Sequence, residues 1–332
     1  MATPKLKVLL TAGSFNQTTQ MWQIAQALPP AHFEPWFTPA YADGLLDTCR
    51  RFGLLEWTIL GERLSRRGMD HLRDQGARID EGGRKQRYDL YVLCHDLIVP
   101  RNVRGGRSIL VQEGMTDPEG LGFELVRRAR FLPRWLASTA STGLSDCYDR
   151  FCVASEGYRE LFVRKGVRPE KLVVTGIPNF DDCARYTRNT FPYRDYVLVC
   201  SSDSRETFKR HDRREFLDKV GRIAAGRPLV FKLHPNENAA RAIREIAAVY
   251  PQAPVLTEGC AEEMVANCRV LIVEYSTLAY VGLALGKEVH AWEDVEILRR
   301  LLPEQHGQAA LRIAGVACEL MAVAPRREEC VA

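Results

Sequence analysis

The polar residues with the most chemical promise in this 332-residue sequence follow apolar runs. In KLHPNE (232–237), Lys232 and His234 alternate at the end of one such run and can share a side of a strand. Pro235 biases His234 away from helical geometry, which holds its imidazole at the strand tip. A cation and an imidazole there suit a monophosphate or diphosphate leaving group; a capping turn whose His bonds a backbone carbonyl is the structural alternative. Asn236 reads as the N-cap of a helix with an apolar stripe through Ala239, Ala240, Ile243, Ile246 and Ala247. EYST (274–277) repeats the arrangement, with Ser276 and Thr277 opening a segment of small and apolar residues that ends at Gly286. Hydroxyls beside the N–H groups of a first helical turn make an anion site, or simply cap the helix. Ser201 and Ser202, near Arg205 in VLVCSSDS and its continuation, can likewise cap a helix or touch phosphate.

The N-terminal half offers a second set. VQEGMTD (111–117) places Gln112, Glu113 and Gly114 directly after an apolar run. A carboxylate in that position can act as general base on an acceptor hydroxyl, with Asp117 in reserve. The bland alternative is that Glu113 caps a helix beginning near Pro118 or pairs with an arginine. In TAGSFN (11–16), Gly13 would let the backbone approach a ligand closely, and Ser14 or Asn16 could bond to it. His95 and Asp96 form a further polar pair after DLYVLC, and Gly176 and Pro178 in TGIPNFDD give a sharp turn with a structural role. Neither GxGxxG nor GxxxxGK[ST] occurs. There is no DxD sequence to hold a divalent metal, so neither a cofactor nor a metal is expected.

The elements that must position these residues alternate between strand-like runs and helical periodicity. KVLLTA, FEPWFTPA, LLEWTIL, DLYVLC, SILVQE, DRFCVA and KLVVTG read as strands of a first domain, with a helix through Trp22, Ile24, Ala25 and Leu28 after the first. A polar break at 182–195 precedes YVLVCSS, PLVFKL, PVLT, RVLIVEY and KEVHAW, the strands of a second domain. The rhythm predicts an α/β protein of two doubly wound, Rossmann-like domains facing across a cleft. The boundary is set at 1–185 and 186–332, the latter ending in a helical tail frayed at PRREECVA.

Composition supports a globular enzyme: 46% hydrophobic and 27% charged residues, with a net charge of +4. No apolar run is long enough to span a bilayer, and the N-terminus reads as a strand rather than a signal peptide, so a cytoplasmic location is expected. The ten cysteines include no CxxC pair, and several lie in strand-like runs, which predicts reduced, buried thiols. The mild charge admits anionic substrates, and no dense basic and aromatic array points to nucleic acid. In the segment 127–135, Arg127, Arg128, Arg130 and Arg134 interleave with Phe131, Leu132 and Trp135, a mixture suited to peripheral contact with anionic headgroups or a lipid-linked acceptor; a solvated helix face is the alternative.

From TGIPNFDD through KLHPNE to EYSTLAYVGLALGKEV, the sequence resembles the GT-B glycosyltransferase superfamily. It is closest to the branch holding teichoic-acid glycerophosphotransferases and capsule sialyl- and Kdo-type transferases; the UDP-N-acetylglucosamine 2-epimerases share the fold. The strongest matches cover roughly 170–292. The resemblance implies that His234, followed by Pro235, and the pair Ser276 and Thr277 bind donor phosphate; Lys232, Ser201 and Ser202 are assigned to the same phosphate from their own places at strand ends. It further implies that the family's acidic-acidic-glycine motif falls on Gln112-Glu113-Gly114, leaving Glu113 as the base. The implied activity is metal-independent transfer of a sugar from a UDP- or CMP-linked donor to a carbohydrate or lipid-linked hydroxyl acceptor, in bacterial surface polysaccharide or glycoconjugate synthesis at the inner face of the membrane. Gly13, Ser14, His95, Asp96 and Asp117 would line the acceptor side. An epimerase acting on the nucleotide sugar itself, or a non-catalytic nucleotide-sugar-binding protein, are the alternatives.

Overall fold

The computed structural model describes residues 4–55, 60–129, 132–202, 205–206 and 212–323. Among them the chain forms two compact units, Met1–Asp181 with His306–Ala332, and Asp182–Gln305.

The first unit holds a six-stranded sheet of β1 (Leu6–Ala12), β2 (Phe33–Pro39), β3 (Leu90–Leu93), β4 (Ser108–Val111), β5 (Arg150–Val153) and β6 (Leu172–Val174), in the order β2-β1-β3-β4-β5-β6. Every pairing is parallel. The second unit holds β7 (Val197–Cys200), β8 (Leu229–Lys232), β9 (Val255–Leu256), β10 (Val270–Val273) and β11 (Glu288–His290), ordered β11-β10-β7-β8-β9 and again parallel. Parallel sheets are covered on both faces, which is why the inner strands are continuous apolar runs without alternation. All four residues of β3, β4, β7 and β10 are buried. The order reverses between β1 and β3 in one sheet and between β7 and β10 in the other, and ligands of such sheets sit beyond the carboxyl ends at these points.

Eleven of the twelve anticipated runs contain strands. The exception is LLEWTIL: residues 56–59 lie outside the described residues, and 54, 55 and 60 are in turns. The anticipated fraying of PRREECVA likewise concerns residues outside those described.

The chain's return at its C-terminus corrects the anticipated division. Helix Ala309–Met321 buries Ile313, Ala314, Val316, Ala317 and Cys318 in the same apolar cluster as Val8 and Leu10 of β1 and Ile24 of helix Phe15–Ala27. It therefore belongs to the first unit, not the second. The first turn of this helix is fixed by Asp181, whose carboxylate accepts from the Ala309 N–H at 2.6 Å. The nine cysteines among the described residues are all free thiols. Burial pushes Cys94 and Cys152 up to about 12, so they are inert, but Cys260 is exposed rather than buried as anticipated.

Candidate functional site

In the first unit the chemistry gathers beyond β1 and β4. Ser14 is the N-cap of helix Phe15–Ala27: its Oγ accepts from the Gln17 N–H at 3.3 Å, and the Gln17 Oε1 accepts from the Ser14 N–H at 3.0 Å. This capping box fixes the Gln17 amide, leaving its Nε2 to donate to Glu113 Oε2 at 2.5 Å. Ser14 Oγ lies 3.4 Å from the other carboxylate oxygen. Glu113 thus sits at the N-terminal end of a 13-residue helix, where the helix dipole favours negative charge. Burial nevertheless raises its pKa above the usual carboxylate range, against hydrogen bonds from Gln17, Asn16 and Ser14 that lower it. A carboxylate whose proton affinity is raised by burial, yet which is held by donors on three side chains, is suited to accept a proton.

Gly13 has a different role from the one anticipated. A Cβ at that position would lie 1.8 Å from Gln17 Oε1, so the missing side chain makes room for the glutamine amide. Gln112 is buried and bridges two turns, its Nε2 donating to Gly114 O at 2.8 Å and its Oε1 accepting from the Ala154 N–H at 2.9 Å. A carboxylate could not donate to the Gly114 carbonyl, which accounts for a glutamine at this position.

Asp96 and Asp117 are committed elsewhere. Asp96 is fully buried, and its two oxygens accept from the backbone N–H groups of Gly143 (3.0 Å) and Ser145 (2.9 Å), which makes it a loop clamp rather than an acid of the site. Asp117 exchanges two 2.8 Å hydrogen bonds with Thr139. His95 has both ring nitrogens buried without a partner among the described residues, and burial lowers its pKa to about 4, so the ring is neutral. Glu113 caps no helix: helix Leu121–Arg128 begins at Gly120 without a side-chain cap.

In the second unit the turn after β8 is braced from several directions. The Glu237 N–H donates to His234 O at 3.0 Å, closing a turn around Pro235 and Asn236. The Asn236 N–H donates to His234 Nδ1 at 3.2 Å, so the neutral ring carries its hydrogen on Nε2. The N-cap of helix Ala239–Val249 is Asn238, not Asn236, its side chain accepting from the Arg241 N–H at 3.0 Å. The His234 N–H donates to Ser201 Oγ at 3.2 Å; that hydroxyl donates to the buried Glu237, which pairs with Arg213 of helix Arg213–Ala224. Arg213 also reaches Glu245 at 3.3 Å, and Arg205 pairs with Glu245 at 2.8 Å. Beside this chain, Ser202 donates to the buried Glu274, bridging the tips of β7 and β10 at the point where the sheet order reverses.

Lys232 is buried and donates to Leu233 O (3.0 Å) and Thr257 O (3.1 Å), tying β8 to the end of β9. Burial lowers its pKa. Ser276 Oγ accepts from the Leu278 N–H at 3.3 Å, so it takes the capping role, while Thr277 precedes the short helix Leu278–Ala284 without a side-chain cap bond.

No family model matches the chain, and no curated protein matches it in sequence. Solved structures do match. A putative UDP-N-acetylglucosamine 2-epimerase from Listeria monocytogenes superposes with a TM-score of 0.58 at 12% identity, over 99% of this chain and 100% of its own. The Neisseria meningitidis UDP-GlcNAc 2-epimerase bound to UDP-GlcNAc gives 0.57 at 10% identity, over 95% and 100%. A variant of the wall teichoic acid polymerase TagF gives 0.54 at 10% identity, over 97% and 90%. The chain has the GT-B fold.

Within this GT-B chain the structure joins Ser14 to Glu113, Ser201 to His234, and Ser202 to Glu274. Gln17, Arg213, Glu237 and Glu274 were not assigned from sequence. Gln17 had a signal in the Ser-x-x-Gln spacing of a capping box; Glu237 and Glu274 stand inside the two motifs, and Arg213 gave none. Arg130 and Phe131 of the basic segment, and Asp203 and Ser204 after the serine pair, lie outside the described residues. Among the described residues no helix is long and apolar enough to cross a membrane.

Proposed function

We propose that the protein is a glycosyltransferase moving a sugar from a nucleotide-activated donor to a hydroxyl acceptor. Glu113 takes the acceptor proton, and His234 donates through Nε2 to the charge that builds on the departing phosphate, a preorganised electrostatic contribution. Ser276 and Thr277 serve the same phosphate, and Ser201 and Ser202 hold the surrounding turns. The single observation that carries this reading is the bracing of the His234-Pro235 turn: backbone, ring and strand tip are each fixed by a separate hydrogen bond, through Asn236, Glu237 and Ser201.

Transfer is favoured over epimerisation by the fate of the first-unit carboxylates. Chemistry on the sugar itself calls for several acid–base groups, and of the three candidates Asp96 and Asp117 are bonded to Gly143, Ser145 and Thr139. The likeness to UDP-GlcNAc 2-epimerases keeps epimerisation as the second reading. Incubation with UDP- and CMP-sugars, with and without hydroxyl acceptors, separates them. Acceptor-dependent release of nucleotide is expected; an epimerised nucleotide sugar formed without acceptor would overturn the transferase reading. His234→Ala should lower turnover by about 10²–10³-fold while nucleotide still binds, and turnover at the wild-type rate would remove the role given to the imidazole.

A further inference from the structure

A cavity of about 330 Å³ opens on the first unit, away from the Glu113 cluster in sequence and lined by four cations, Arg127, Arg134, Lys165 and Arg168, against one carboxylate, Asp146. That carboxylate is already matched, with Lys171 at 2.7 Å and Arg168 at 3.0 Å. Lys165 is only 5% exposed. Its ammonium donates to Ala140 O at 3.1 Å and lies 5.5 and 5.8 Å from the rings of Phe123 and Phe162. Burial lowers its pKa. The Ala140 carbonyl, the two rings and the carboxylates of Glu119 and Asp117 offset part of the cost of taking this ammonium out of water, and an anion in the cavity would offset more. Arg134 gives its Nε to Asp96 O at 3.2 Å, and the 2.7 Å pair of Arg127 with Glu124 is solvent-exposed and weak.

The segments that supply these cations also present apolar side chains to solvent. Helix Leu121–Arg128 exposes Leu121 (92%) and Leu125 (56%), one turn apart on one face, while Phe123 and Val126 are buried. Trp135 and Leu136, next to Arg134, are exposed as well. The two segments touch, since a Cβ on Gly122 would lie 3.1 Å from Leu136 O. An exposed leucine pair beside a cationic cavity is complementary to an amphiphile with an anionic head.

We propose that this cavity seats the phosphate of an anionic lipid headgroup, with Leu121 and Leu125 entering the adjoining acyl region. The site stands apart from the transferase reading and is tested without any donor sugar. The full chain is sedimented with vesicles of phosphatidylcholine alone and of phosphatidylcholine mixed with phosphatidic acid, and pyrophosphate binding is measured separately by calorimetry. Binding to the mixed vesicles alone is expected. A basic group near such a surface contributes about fivefold to partitioning, so Arg134→Gln with Arg168→Gln should weaken it by about 25-fold. Leu121→Ser with Leu125→Ser should weaken it too. Arg73→Gln with Arg300→Gln removes the same charge elsewhere and should have little effect; matched urea midpoints verify that each variant folds. Equal losses for the two arginine pairs would reduce the site to general basic attraction and overturn the proposal. So would equal binding to phosphatidylcholine alone, or no vesicle binding at all. Pyrophosphate binding that the cavity pair abolishes, without vesicle binding, would assign the site to a free phosphate compound instead.

Discussion

Replacing Gln17 with leucine isolates what the capping box does for Glu113. The substitution removes the 2.5 Å hydrogen bond from Nε2 to the carboxylate and keeps a side chain of similar length. Hydrogen bonds to ionised groups contribute about 1.5–3 kcal/mol. At about 1.4 kcal/mol per pKa unit, Glu113 should rise by about one to two units beyond its already raised value. The base works ionised, so the acid limb of kcat/KM for the acceptor, measured at saturating donor, should move to higher pH by that amount, with the plateau regained above it. Stability gives an independent reading of the same shift. A carboxyl whose folded pKa lies above its unfolded pKa contributes stability that is full below the unfolded value and is lost as pH rises through the folded value. The variant should therefore lose more stability than the wild type between mildly acidic and neutral pH, on top of about 1 kcal/mol from the broken capping box at every pH. An acid limb that stays in place would refute the assignment of Glu113 as base. A plateau that falls with no shift of the limb would make Gln17 a binding residue instead.

Arg213→Met leaves Glu237 charged and buried without its guanidinium, and should cost about 3–5 kcal/mol in urea unfolding, much of it recovered when Glu237→Leu is added. Gln112→Glu, which restores the acidic pair of the related motif, should cost about 1–3 kcal/mol and gain no activity, because a carboxylate cannot donate to Gly114 O; higher turnover would contradict the clamp role given to Gln112. Truncation after Gln305 removes a helix that covers β1, so near-UV circular dichroism of the first unit should collapse even though β1 to β11 all remain in the chain.

The strands were legible because parallel sheets impose a simple pattern. A strand covered on both faces must be apolar throughout, so VLVC, LVFK and VLIV announce themselves without any knowledge of their neighbours. The C-terminal helix announced itself equally well as a helix, but its destination did not. Nothing in AALRIAGVACELM distinguishes packing on β1, some three hundred residues back, from packing on the strands just before it. The same holds for the site. Ser202 meets Glu274 across 72 residues and Gln17 meets Glu113 across 96, and each contact exists because the sheet order reverses beside it.

What sequence could not separate at all is a carboxylate that reacts from one that braces, since both follow strands. Burial alone does not identify the reactive one: Asp96 and Glu237 are buried, whereas Glu113 is partly exposed. The difference lies in the partner. Asp96 accepts from two backbone amides, whose positions are set by the fold and cannot release it. Glu237 is neutralised by a guanidinium, which fixes its charge state. Glu113 accepts from the side chains of Ser14 and Gln17: the amide is held by the capping box, while the Ser14 hydroxyl can donate to the ionised form or accept from the neutral one. That freedom to change protonation without breaking the backbone is what a general base requires, and among these three acids it belongs to Glu113.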